Sequence, residues 1–245
     1  MIRFSLAWQF LTVLPWVRAK GEADPRLLGP SMACYPLIGL LLGLILWIPF
    51  WFLVWIFPRS LADGLLVLLL VLLTGAFHLD GLADTLDGLA YGKTSEERMR
   101  IMKDHRVGAF GVIGLILILG IKFLALDSLP KQTAIKGLVV ALALSRYSMV
   151  QLLLRAPYAR KEGGLGLAFK ETLTKKEWFA AAIFSLACSL LFIKMPGLIL
   201  WGLVALSTFL LEKFFVRKLG GVTGDVLGAA NEINETLVLV AMTAM

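Results

Sequence analysis

Three aspartates, Asp80, Asp84 and Asp87, stand four and three residues apart in the stretch Phe77–Gly88. On a helix such positions fall within about 60° of one another, on one face. Like charges held together repel unless something positive sits among them. Hard carboxylate oxygens suit Mg²⁺, which often shares its coordination shell with substrate phosphates. All three are therefore candidate metal ligands and candidate catalytic carboxylates. A solvated polar helix face is the plainer alternative, but such a face usually mixes Lys with Asp, and this stretch holds three acids and no Lys or Arg. His78, two residues before Asp80, is a candidate base or carboxylate partner; an interfacial histidine without chemistry is the other reading. Gly81 and Gly88 allow close backbone approach or tight turns at either end.

A basic stretch follows, from Arg98 to Gly111. Lys103 and Arg106 are three apart and share a helix face or a turn, with Asp104 between them. Gly108 and Gly111 open an apolar run whose first N–H groups would point at the same side. Ammonium, guanidinium and a helix N-terminus together make an anion site, with phosphate the obvious guest. Anchoring to lipid headgroups is the alternative, stronger for Arg98 and Arg100. A second polar cluster spans Leu219–Glu235. Asp225 and Glu232 are seven apart on one face; burying acids in a span is expensive, so they should face a polar cavity. Asp225 is a fourth candidate metal ligand, and Asn231 and Glu232 are candidate substrate contacts. The glycines of 220–228 would leave room for a large substrate, although a polar helix start capped by water would look the same. Two cations lie inside apolar runs: Arg146, flanked by Ser145 and Tyr147, is a candidate substrate contact, and Lys122 either snorkels or meets the substrate.

These residues must be positioned by apolar helices. Of the 245 residues, 59% are hydrophobic and 17% charged, against about 25% charged in an average soluble domain; the mean hydropathy is +0.84. A spanning helix needs about 20 mostly apolar residues. Six segments come near this, at 32–57, 61–79, 108–127, 135–154, 178–194 and 196–212, and a weaker seventh, 226–245, starts with Asn231, Glu232, Asn234 and Glu235. The expected fold is all-α: one polytopic membrane helical bundle over 1–245 with about seven transmembrane helices. Phe4–Leu14 reads as an interfacial helix, because Pro15 and Trp16 follow it instead of a cleavage site. Threading the chain with a cytoplasmic N-terminus places 18 of the 24 Lys and Arg on the inner side, among them Arg18, Lys20 and Lys161, and four on the outer side. That bias puts the loops 80–107 and 155–177 in the cytoplasm. It also accounts for the net charge of +7 without nucleic acid, for which no basic stripe interleaved with aromatics exists. Cys34 and Cys188 sit singly in apolar runs, giving neither a zinc site nor a disulfide framework.

Three stretches, His78–Gly88, Lys103–Gly111 with His105 inside it, and Gly221–Gly228, resemble those of the cobalamin synthase (adenosylcobinamide-GDP ribazoletransferase) family. Phe10–Pro15 and Pro36–Gly39 are similar to its early segments, although Val13 stands where the pattern carries Arg. The resemblance runs in order along almost the whole chain. It implies a Mg²⁺-dependent enzyme of the bacterial or archaeal cytoplasmic (inner) membrane. That enzyme joins adenosylcobinamide-GDP to α-ribazole or its 5′-phosphate and releases GMP, with the active site on the cytoplasmic side. On this reading Asp80, Asp84 and Asp87 hold Mg²⁺, and Asp225, with Glu232 beside it, completes the site. Lys103 and Arg106 face the departing GMP, and an unligated carboxylate or His78 takes the hydroxyl proton. A CDP-alcohol phosphotransferase shares part of the pattern at Asp84, Asp87 and Gly88, but its remaining motif is missing. A secondary transporter would use the acids for ion coupling, yet no internal repeat is present. The preference between the two ribazole forms, the number of metals and any homo-oligomer are left open by the sequence.

Overall fold

The computed structural model describes residues 1–15, 24–104, 106–160 and 165–245. Arg18, Lys20, His105 and Lys161 lie outside the described residues. Twelve α-helices follow in order: α1 (Ile2–Leu11), α2 (Leu28–Ser31), α3 (Tyr35–Ile56), α4 (Arg59–Thr74), α5 (Phe77–Tyr91), α6 (Ser95–Ile101), α7 (Ala109–Ser128), α8 (Lys131–Arg155), α9 (Leu165–Thr172), α10 (Lys175–Ile193), α11 (Met195–Leu219) and α12 (Gly224–Thr243). Among the described residues the only β feature is an isolated parallel bridge between Tyr158 and Val222. The all-α expectation holds.

Among the described residues five helical stretches are long and apolar enough to cross a membrane: Pro25–Ile56, Ala109–Ser128, Lys131–Arg155, Lys175–Ile193 and Met195–Leu219. Helix α8 is the axis of the bundle. Every residue from Gly137 to Leu153 is buried, with α3, α10, α11 and α12 packed around it. The outer helices keep apolar faces exposed, for example Ile113, Ile116 and Leu117 on α7 and Leu206 and Leu210 on α11. In water such faces would be a liability; in lipid they are the solvated surface.

The structure alters the expected spans in two places. The segment 61–79 is not one straight helix. Gly75 (φ 62°) and Ala76 (φ 57°) both take the left-handed conformation, and α5 leaves α4 at 90°. With 16 residues, α4 is about 24 Å long, short of the ~30 Å hydrocarbon core. The aspartates thus sit on a separate helix bent away from the span instead of continuing it. The expected seventh span exists as α12, but it is not among the apolar crossing helices. It buries Asn231, Glu232, Asn234 and Glu235 against protein instead. Helix α1 buries Ala7, Trp8 and Leu11, and Val13 N–H donates to the Leu73 carbonyl at 2.9 Å, fixing this N-terminal helix at the bend.

Candidate active site

The site is built where α5 crosses α12. Two glycines permit the crossing. A Cβ on Gly81 would come within 2.8 Å of the Asp225 Cα, and one on Gly228 within 3.1 Å of the His78 Cα. Both are backbone contacts that no side-chain movement relieves. This is the close approach expected for Gly81, and it brings Asp225 over the face of α5 that carries Asp80 and Asp84. The 220–228 glycines mostly do not leave the room expected of them. Gly228 is filled by His78 and Gly221 by the Pro157 carbonyl, and only Gly224 has open space beside it.

One cavity of about 330 Å³ is lined by Asp80, Asp84, Asp225, Lys103, Asp104 and Arg160, with Met102 and Val107. Four chain segments converge there. Helix α5 supplies Asp80, exposed, and Asp84, half-buried. Lys103 and Asp104 follow α6, which is tied down by Ser95 Oγ donating to the Leu219 carbonyl (2.7 Å) and Arg98 Nη1 to the Lys218 carbonyl (2.8 Å). Asp225 opens α12, where Thr223 caps the helix by accepting from Val226 N–H at 3.3 Å. Arg160 is held because its segment pairs with 222: Val222 N–H donates to the Pro157 carbonyl and Ala159 N–H to the Val222 carbonyl, both at 2.9 Å. Arg160 Nη2 then donates to Asp225 Oδ2 at 2.6 Å. Burial pushes the Asp225 carboxyl above the ordinary range, while Arg160 and the Thr223 hydroxyl pull it back. In the sequence Arg160 is one of the 18 Lys and Arg counted on the inner side and no more. Nothing in its local spacing marks it, since its partner is 65 residues away.

Asp87 has another task. Its carboxylate is buried and accepts from Gly108 N–H at 2.6 Å and Gly111 N–H at 2.8 Å. It caps α7, so the helix N-terminus expected to receive phosphate already holds a carboxylate. The spacing explains the division of labour. Residues seven apart share a face but lie about 10.5 Å apart along the axis, whereas four apart is about 6 Å. Asp80 and Asp84 reach one cavity and Asp87 does not. Arg106 is also displaced. It lines a neighbouring cavity with Asp87, Tyr91 and Arg100, and only Asp104 borders both cavities.

The same axial distance separates Asp225 from Glu232. Glu232 lies deeper, in a buried ionic cluster. Lys122 Nζ donates to Glu232 Oε2 (2.8 Å) and Glu235 Oε1 (2.6 Å), and Arg146 Nη1 to Glu235 Oε2 (2.5 Å). Two cations balance two anions, which is how charge survives inside a bundle. Asn231 Nδ2 lies 3.2 Å from His78 Nδ1 and donates to Glu232 Oε1 at 3.3 Å. Of the expected site residues, then, His78, Arg146, Asn231 and Glu232 are brought together, but behind the α5–α12 crossing and not on the acidic cavity. His78 is 2% exposed and does not line the open cavity.

Among the described residues no group of three or more His, Cys, Asp or Glu is close enough to form a ready metal cage. Asp80, Asp84 and Asp225 nonetheless fit Mg²⁺ by chemistry. They are hard oxygens on one open cavity, and Mg²⁺ is commonly held by one or two carboxylates, with water and substrate phosphates completing the shell.

The family described as cobalamin-5-phosphate synthase matches residues 3–243. Curated relatives named adenosylcobinamide-GDP ribazoletransferase are similar over nearly the whole length. The one from Geotalea daltonii is 39% identical, covering 99% of this chain and 97% of its own. The one from Pseudomonas putida strain W619 is 42% identical, covering 99% and 98%. The one from Acetivibrio thermocellus is 34% identical, covering 97% and 96%. No solved structure is a significant match.

Proposed function

The chain belongs to the cobalamin-5-phosphate synthase family, and from that premise we propose that it joins adenosylcobinamide-GDP to α-ribazole or its 5′-phosphate in assembly of the cobalamin nucleotide loop, releasing GMP. The full-length match decides against the CDP-alcohol phosphotransferase and transporter alternatives. The observation that supports the reading most is the cavity in which Asp80, Asp84 and Asp225 face Lys103 and Arg160. Carboxylates and cations lining one cavity suit a diphosphate ester.

In the reaction a ribose hydroxyl oxygen of α-ribazole bonds to the cobinamide-side phosphorus. The bond from that phosphorus to the bridging oxygen breaks, and GMP leaves with the electron pair. The hydroxyl proton passes to a carboxylate of the cavity. Lys103 and Arg160 would contact phosphate oxygens and stabilise charge growing on the departing GMP. Arg160, tied to Asp225, also orients that carboxylate toward Asp80 and Asp84. One or two of Asp80, Asp84 and Asp225 would hold Mg²⁺, which when bound would neutralise the diphosphate and draw charge from the leaving group. The cavity lies at the end of the bundle where the expected inner Lys and Arg gather, Lys103 and Arg160 among them. This supports a cytoplasmic-facing site in an inner membrane.

The test is GMP release from adenosylcobinamide-GDP and either ribazole form by protein purified into lipid nanodiscs, with and without Mg²⁺. Release should require the ion. Asp80→Ala should insert normally and lose on the order of 100-fold or more in rate. Full activity in that variant removes the proposed role of the acidic cavity.

A further inference from the structure

A second cavity, of about 260 Å³, adjoins the acidic one, and Arg160 and Asp225 line both. Its remaining wall carries five rings, Phe10, Tyr35, Phe77, Tyr158 and Phe169, among aliphatic residues. Four of the rings brace one another. Phe10 lies 5.0 Å from Phe169, 5.3 Å from Phe77 edge-on and 6.3 Å from Tyr35, centroid to centroid. They come from α1, α3, α5, α9 and the 157–160 segment. No single helix makes this wall, and the bend at Gly75 and Ala76 is what delivers Phe77 to it. Gly224, next to the Asp225 that lines both cavities, borders this one, and no atom of another segment lies within 4 Å of the position a Cβ would take.

We propose that this ring-lined cavity binds the planar base of α-ribazole, leaving its ribose at Arg160 and Asp225 beside the diphosphate. This rests on the function proposed above and adds where the nucleophile sits. The reaction brings two aromatic bases to the site, the benzimidazole of α-ribazole and the guanine of the other substrate. Both offer faces for stacking. Their edges differ. Guanine presents a carbonyl and N–H groups that lose free energy when buried without partners, whereas the outer edge of a benzimidazole carries only carbon. A wall of Phe and Tyr rings with Met32, Leu153 and Leu227 suits the carbon edge. The charged groups it shares with the acidic cavity, Arg160 and Asp225, suit the hydroxylated end of a nucleoside, and the rings suit its apolar end.

Two variants separate the outcomes. Gly224→Leu starts a side chain where a Cβ meets open space, while Phe169→Ala removes one ring. KM for α-ribazole and for adenosylcobinamide-GDP are measured separately in nanodiscs. The proposal expects KM for α-ribazole to rise by about tenfold in each variant, the scale of losing one stacked ring, with KM for adenosylcobinamide-GDP moving by no more than about twofold. A rise confined to adenosylcobinamide-GDP places guanine there and overturns the proposal. So does no change in either constant, which makes the cavity a lipid-facing groove. Equilibrium dialysis of the purified protein with α-ribazole alone keeps the two readings apart. If the wild type releases no GMP but binds α-ribazole, and Gly224→Leu weakens that binding, the cavity assignment stands and the activity falls. If the wild type turns over and the variant leaves the α-ribazole constant unmoved, the activity stands and the cavity assignment falls.

Discussion

Asp87 shows how a residue of the right type for chemistry can hold an element in place. Its two oxygens each take one N–H of α7, and losing such a cap costs about 1–2 kcal/mol. Asp87→Ala should therefore lower the unfolding temperature in detergent. It should reduce GMP release through the disordered start of α7, yet leave the Mg²⁺ concentration for half-maximal rate where it was. A large increase in that concentration would make Asp87 a metal ligand after all. The sequence allows the face of α5 to be read, because a 3.6-residue period fixes direction. It does not show depth, so Asp80, Asp84 and Asp87 look equivalent until α7 is seen against the last of them. Arg160 is the opposite case. Its chemistry is plain, but its place depends on the backbone pairing of Ala159 with Val222, which no local pattern announces.

At the scale of elements, the α5–α12 crossing divides polar residues into an outer working set and an inner bracing set. The inner set joins α7, α8 and α12 through Lys122, Arg146, Glu232 and Glu235. These four are visible in the sequence as charges within apolar runs. Their pairing is not, since the partners lie 89 to 113 residues apart. A balanced buried cluster is most vulnerable to losing one member, because the opposite charge is stranded. Lys122→Met should destabilise the folded protein by about 3–5 kcal/mol, read as a shift in unfolding in detergent. Adding Glu232→Gln to the same chain removes one stranded carboxylate and should recover part of the loss, with Arg146 still paired to Glu235. A Lys122→Met protein as stable as the wild type would refute the bracing role. A double variant no better than the single one would show that charge balance is not what the cluster supplies. The bend between α4 and α5 was also hidden in the apolar run 61–79, where hydropathy continues past the point at which Gly75 and Ala76 turn the chain.

For the whole molecule, the charge bias and the positions of the helix ends point the same way. Asp80, Lys103, Arg160 and Asp225 come from four segments far apart in the chain, yet they meet at one end of the bundle, where α7 and α12 begin and α8 and α11 finish. The opposite end is closed by different contacts: Arg59 Nη2 donates to the Leu126 carbonyl at 2.8 Å and Ser60 Oγ to Asp127 Oδ1 at 3.1 Å. Lys93 lies near the first end and Lys131 at the second, and both are exposed. Orientation therefore reduces to which of the two meets the cytoplasm. Lys and Arg are retained on the cytoplasmic side, so the orientation proposed above has Lys93 and the acidic cavity inward and Lys131 outward, whether α4 and α5 count as one broken crossing or α12 as a seventh. In a chain with Cys34 and Cys188 replaced by Ala, Lys131→Cys should react with a membrane-impermeant maleimide on intact cells, and Lys93→Cys only after permeabilisation. The reverse pattern would turn the cavity outward. It would then have to draw a nucleotide-activated substrate from the wrong side of the membrane, and the proposed reaction would lose its supply.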